Sequence, residues 1–442
     1  MKSLLQIALL LLCYQLSTAQ SNEIRCYMDL QIHPTMHVPY SFFGKGLAFF
    51  DEKKPPKLKY KHQFKNANYA NYFKANEGIR IFVTGALTNE GIKSKKKARK
   101  MIVEQIDYIN KFVADNSVDF AVARMPDEVR FLVDSTTKTI IIHSIEGAKK
   151  VINSQADAQF YADLGVSFVT LIHLTDYAYG SAAIKPGLMT KLLNFKGWVR
   201  KKKKRGLTEK GKQAILWLAN AGIMIDITHM SDKTRVDALD FMAEKGIPPI
   251  ATHDGFKPIQ NSPRGIDKES ILRIYKQGGL MSLPISGESL KAHKAQEPYK
   301  SILDSLEKAK CYCEGSIDAY KFTYEALKEH IHGNLQYIYG DSLYNYSDLP
   351  DTAKTQIAIG FQTDFNGWLN HHRPRYGKKG CYPIEAGKEY APIELLGMPH
   401  PGMLGAHWKL LEKEGVDLEP VQRASERFLQ IWESFLERKG TF

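Results

Sequence analysis

The chain has 442 residues, with 61 Lys and Arg set against 48 Asp and Glu for a formal charge of +13. The basic excess is spread along the sequence apart from one block, Arg200 to Arg205 (RKKKKR). Nothing resembling a nucleic-acid module flanks that block, so it reads as a solvated loop ahead of a helix, and no nucleic-acid partner is expected. No stretch offers about 18 uninterrupted apolar residues, which argues against a membrane-spanning helix, while the length alone permits either two domains or one large barrel.

In chain order, Lys2, the apolar run Leu4 to Leu12 and the small residues Ser17-Thr18-Ala19 read as a cleavable signal peptide, residues 1–19, with a mature chain from Gln20. A secreted or periplasmic protein is expected. Cys13 lacks the small residue that precedes a lipidated cysteine, and the charged end Glu437-Arg438-Lys439-Gly440 is no GPI-type tail, so no membrane anchor is expected. Short apolar runs that read as strands follow at Tyr27–His33, Ile79–Thr84, Thr139–Glu146, Phe168–His173, Ile223–His229, Pro249–His253, Leu280–Ile285 and Ile357–Asp364. Helical periodicity lies between several of them, clearest at Lys97–Asp115 and at Thr208–Ala221, which Thr208 caps and Gly222 ends. Nearly all-apolar strands separated by helices imply a parallel sheet. Eight such units point to an α/β fold closed as a (β/α)8 TIM-type barrel.

What stands at the strand ends points to chemistry. His33, Glu146, His229, His253 and Asp364 each finish a predicted strand, and in a closed barrel these C-terminal ends converge on one mouth, where the active sites of the fold lie. Scattered at random, such residues would fall equally at both ends. Two imidazoles and a carboxylate, here His229, His253 and Glu146, leave an open fourth position on a zinc ion, as a catalytic site requires. Asp226 and Asp254, beside these histidines, are read as carboxylates that orient the imidazoles. Of the cysteines outside the leader, Cys381 is expected to pair with Cys311 or Cys313, the choice being open.

The motifs resemble those of the membrane dipeptidase family. Gly206-Leu207-Thr208-Glu209-Lys210-Gly211 leading to Ile225-Asp226-Ile227-Thr228-His229 is similar to the family's GLTxxG helix and its zinc-histidine strand, and Pro249-Ile250-Ala251-Thr252-His253 is similar to the next one. Ile145-Glu146-Gly147 resembles the strand bearing the zinc-bridging carboxylate, and Thr170-Leu171-Ile172-His173 the one bearing a substrate-contacting histidine. Arg264 falls where an arginine binds the substrate carboxylate, and Asp364-Phe365-Asn366-Gly367 resembles the DFDG setting of an acid/base aspartate. The resemblance implies a zinc-dependent dipeptidase or related amidohydrolase acting on small peptides, with Asp364 and His173 catalytic, Arg264 and His173 binding substrate, and a homodimer.

The first strand departs from the family's D-x-H-x-D: aligned on Asp29, glutamine (Gln31) takes the histidine place and histidine (His33) the aspartate place. Without that aspartate, Glu146, Asp364 and a hydroxide offset three of the four charges of two zinc ions. One firm zinc site is therefore expected, with a second, approached by His33, weak or empty. A catalytically impaired relative that binds a peptide in the mouth is the competing expectation. Residues 286–356 match the family poorly and are expected to form an insertion near the mouth.

Overall fold

The structure, a computed structural model, describes residues 23–35, 39, 79–183, 194, 206–286, 295–340, 345–366 and 371–442. The leader segment, the basic block at 200–205 and Gly367 lie outside these residues.

All eight expected strands form, with a ninth. They are β1 (Tyr27–Ile32), β2 (Ile79–Leu87), β3 (Phe120–Val122), β4 (Thr139–Glu146), β5 (Val166–Thr170), β6 (Met224–Asp226), β7 (Pro249–Ala251), β8 (Leu280–Pro284) and β9 (Ile359–Gln362). Every pairing is parallel. The order β2-β1-β9-β8-β7-β6-β5-β4 closes through β2 against β4, in register from Ile81↔Ile140 to Leu87↔Glu146, giving an eight-stranded barrel. The extra strand β3 pairs only with Thr139 to Ile141, at the start of the β4 edge that β5 takes from His143 onward. Ile140, Ile141, Ile142 and Ile145 are buried without exception. A strand covered on both faces has no reason to alternate polar with apolar residues.

The two helices expected from their periodicity form, at Lys95–Asp115 and Glu209–Asn220. Helix α1 (Lys95–Asp115) starts at Ser94, whose hydroxyl accepts from Lys97 N, and buries Ile102, Ile106, Ile109 and Val113 on one stripe. After it come α2 (Pro126–Ser135), α3 (Gln155–Asp163) and α4 (Glu209–Asn220). Thr208 caps α4 by accepting from Gly211 N at 3.0 Å, and Gly222, at φ +82, takes the left-handed step beyond its end that a Cβ would oppose. The remaining outer helices include α5 (Asp232–Lys245), α6 (Lys268–Lys276), α7 (Tyr299–Lys308), α8 (Ile317–His332), α9 (Leu404–Lys413) and α10 (Ala424–Glu437).

Between β8 and β9, α7 and α8 pack onto the barrel through Leu303, Tyr320, Tyr324, Leu327 and Ile331, all buried. The loop joining them carries Cys313, which is disulfide-bonded to Cys381, leaving Cys311 free and exposed. Cys26 is free and buried, its thiol pushed up to about 11 by desolvation.

Candidate metal centre

At the C-terminal ends of the barrel strands, Glu146 is the last residue of β4, and His229 and His253 follow β6 and β7 by three and two residues. Oε1 of Glu146 lies 3.0 Å from His229 Nε2 and 2.9 Å from His253 Nε2, and the two imidazole nitrogens are 2.9 Å apart. Three donor atoms thus point at one spot. A tetrahedral zinc ion with ligands at about 2.0–2.2 Å needs them about 3.4 Å apart, so a widening of a few tenths of an ångström admits it. His229 holds φ +67, a backbone conformation that non-glycine residues rarely adopt, and its Nδ1 has no hydrogen-bond partner among the described residues.

The electrostatics suit a cation. Burial opposes ionisation of Glu146, yet the His173 and His33 imidazoles and the bonds from His229 and His253 hold its carboxyl well below the usual range. Burial, with the Arg264 charge, keeps His229 neutral, well below its ordinary value. An anionic carboxylate and neutral imidazoles are the protonation states that bind metal.

The other carboxylate oxygen serves a second cluster. Oε2 of Glu146 is 3.3 Å from His33 Nε2, which is also 3.2 Å from Oδ1 of Asp364. His33 Nδ1 donates to the Gly85 carbonyl at 2.7 Å, and Gln31 Nε2 approaches His33 Nε2 at 3.1 Å. Although burial disfavours its cation, the Glu146 and Asp364 charges raise His33 to about 9. An imidazolium therefore stands between the two carboxylates. Asp29 turns to β9, accepting from Thr363 N at 3.0 Å and from its hydroxyl at 2.6 Å. Asp364 holds φ +49.

His173 also reaches this side, its Nε2 3.5 Å from Oε2 of Glu146. Geometrically it forms a metal-sized group with Glu146 and His229. Its Nδ1, however, donates at 2.8 Å to Glu90, and against the opposing effect of burial the Glu146 and Glu90 charges raise its pKa. A ring whose cation is favoured is a poorer ligand, whereas His229 and His253 meet on one oxygen of Glu146.

Arg264 stands beside the centre, its Nε 3.3 Å from Asp254 Oδ1 and its Nη2 donating to the His253 carbonyl at 2.8 Å. This corrects the expected role of Asp254, whose carboxylate pairs with Arg264 and touches no imidazole. Asp226 does not bond an imidazole either. It accepts from the hydroxyls of Thr170, Thr228 and Thr252 at 2.6, 2.6 and 2.8 Å and from the backbone N–H of Thr228 and Thr252. Its link to the centre runs through Thr252, whose hydroxyl lies 2.7 Å from His253 Nδ1.

Sequence reasoning missed Glu90 and Gly85. Glu90 follows β2 and also accepts from Thr175 at 2.5 Å; its carboxyl is lowered, burial being outweighed by His173 and Lys149. A Cβ on Gly85 would lie 2.4 Å from Gln31 Nε2 and 2.7 Å from His33 Cε1. The alternation of a strand carries no signal for either.

A closed parallel barrel that brings two imidazoles onto one carboxylate oxygen at its C-terminal mouth defines the class: a (β/α)8 scaffold with a candidate metal centre where the active sites of the fold lie. The chain belongs to the membrane dipeptidase family, peptidase family M19, whose family model matches residues 48–331, nearly two thirds of its length. His33 and Asp364 fall outside that match. An uncharacterized dipeptidase of Schizosaccharomyces pombe is 27% identical over 183 residues, 41% of this chain and 40% of the relative. The chain thus spans well under half the length of that relative. Among solved structures, a dipeptidase of family M19 superposes with a TM-score of 0.58 at 15% identity, over 95% of this chain and all of that one. A Rhodobacter sphaeroides metallopeptidase, liganded with a phosphinate mimic of the dipeptide L-Ala-D-Ala, gives a TM-score of 0.57 at 13% identity, over 95% of this chain and 100% of its own. At such identities the likeness is one of fold.

Proposed function

We propose that the protein is an exported zinc-dependent dipeptidase, with Glu146, His229 and His253 as the ligands of one firm metal site and the position beside His33 weak or empty. The observation that carries this reading is the convergence of three donor atoms within 3.0 Å of one another at the barrel mouth. A zinc ion held there would polarise the scissile carbonyl and bring water ionisation toward neutral pH.

The chain's own residues supply the rest. Asp364 takes a proton from the attacking water at its carboxylate and returns it to the leaving amine. His173, its Nδ1–H fixed by Glu90, donates Nε2–H to the oxygen on which charge develops. Arg264 spends one N–H on Asp254 and one on the His253 carbonyl; its remaining donors would bind the carboxylate end of a dipeptide.

The test is turnover of a panel of L,L and L,D dipeptides by the purified chain after chelation and after zinc is restored. Activity is expected to vanish and return, and to be lost in His229→Ala. Turnover untouched by alanine at both His229 and His253 would refute the assignment. The substitution of Gln31 for a ligand histidine favours a second reading, a family member that binds peptide without cleaving it. Saturable dipeptide binding to the zinc-loaded chain with no hydrolysis would select it.

A further inference from the structure

A second group of imidazoles lies outside the barrel mouth. His407 and Trp408 of α9, Tyr320 of α8 and His372, in the segment between β9 and α9, are all buried, His407 and Tyr320 completely. Both ring nitrogens of His372, both of His407, the Tyr320 hydroxyl and Trp408 Nε1 have no hydrogen-bond partner among the described residues. Buried polar atoms are nearly always satisfied, so six unpaired atoms on four touching side chains mark a missing partner.

The geometry narrows what that partner is. The ring centroids of His372 and His407 are 4.9 Å apart, against 4.8 Å for His229 and His253 at the mouth. Tyr320 lies 4.9 Å from His407 and 6.1 Å from His372, and Trp408 is 4.5 Å from His407. Two imidazoles on one tetrahedral ion at about 2.0–2.1 Å set their centroids about 5 Å apart. A neutral imidazole keeps a free lone pair on one ring nitrogen. Arg375, whose charge acts on His372, is itself paired to three carboxylates, Asp318, Glu394 and Glu414.

We propose that His372 and His407, with the Tyr320 oxygen as third donor, form a structural site for a divalent transition-metal ion, separate from the mouth. Ligation replaces the Tyr320 phenolic proton, which leaves to solvent. The Trp408 N–H, a donor only, serves a water on the fourth position. The ion clamps α8, from the segment expected to be an insertion, to α9 and to the chain leaving β9. A set of two imidazoles and one phenolic oxygen suits zinc or cobalt better than magnesium or calcium.

The probe is cobalt(II) added to metal-stripped full-length chain carrying His229→Ala and His253→Ala, read by metal stoichiometry and visible absorption. About one equivalent is expected to remain, and adding His372→Phe with His407→Phe is expected to abolish it. With the mouth histidines intact, the two Phe substitutions alone are expected to remove one equivalent and leave dipeptide turnover in place. If the Phe variants fail to fold, the His229→Ala/His253→Ala chain is still expected to melt about 3–5 °C higher at a hundredfold excess of cobalt over Kd. No uptake and no thermal shift in that chain would overturn the proposal, meaning that buried water alone fills the cluster. Uptake undiminished by the Phe substitutions would overturn it too, because the ion then sits elsewhere.

Discussion

Restoring the family's ligands on β1, by Gln31→His with His33→Asp, is predicted to convert the mouth from one metal ion to two. In the present chain His33 Nε2 lies 3.3 Å from Glu146 Oε2 and 3.2 Å from Asp364 Oδ1, so an imidazolium sits against both carboxylates that a second ion would need. At about 4 Å and an effective dielectric of about 20, two unit charges interact by about 4 kcal/mol. A divalent ion doubles this, and exchanging a cation for an anion doubles it again, to roughly 16 kcal/mol before solvent and relaxation reduce it. Even a fifth of that, about 3 kcal/mol, is more than a hundredfold in Kd. Zinc titrations in the His372→Phe/His407→Phe background, where uptake reports the mouth alone, are expected to rise from one equivalent to two. If the unaltered first strand already binds two ions with similar affinities, or if the restored one still binds a single ion, the charge argument is wrong.

Glu90→Gln is predicted to lower kcat by about 10- to 100-fold with little change in KM, because His173 keeps a partner but loses the charge that sustains its cation; steady-state kinetics across pH checks this. Thr252→Val removes a hydroxyl bonded to Asp226 and adjacent to His253, and is predicted to cost about 1–3 kcal/mol in urea unfolding and to weaken zinc binding. Gly85→Ala places a methyl group against Gln31 and His33 and is predicted to cost about 1–3 kcal/mol and to depress activity, read by thermal melting and turnover. In metal-stripped protein, the raised pKa of His33, about 9, stabilises the fold fully below the ordinary histidine value of about 6.5, and this is lost as pH rises through 9. Asp29, raised to about 7 by burial, acts in the same sense, so urea midpoints are expected to fall between pH 6 and pH 10.

The parts of the centre legible in the sequence are those that depend on position along a strand. A parallel barrel sends every strand's C-terminal end to one mouth, so an acid or imidazole finishing an apolar run is placed by topology alone, and Glu146, His229 and His253 meet for that reason. What stayed hidden depends on register between strands distant in sequence. Asp226 and Asp29 look like neighbours of ligands, yet pairing sets each against a threonine, Thr252 and Thr363, with the same bonds to an N–H and a hydroxyl of the adjoining strand. Two carboxylates at equivalent places thus tie β6 to the chain leaving β7 and β1 to the chain leaving β9, and they fix the segments that carry His253 and Asp364. The short β3 escaped notice because three residues cannot display a period, and Glu90 because a loop residue has none. A substitution at Asp29 should therefore disturb Asp364 as strongly as one at Asp226 disturbs His253, although neither aspartate touches the centre: Asp29→Asn is predicted to lower turnover while leaving zinc affinity at the firm site intact, and Asp226→Asn to lower both. Equal loss of zinc from the two variants would show that the carboxylates hold the barrel as a whole and not its individual strand ends.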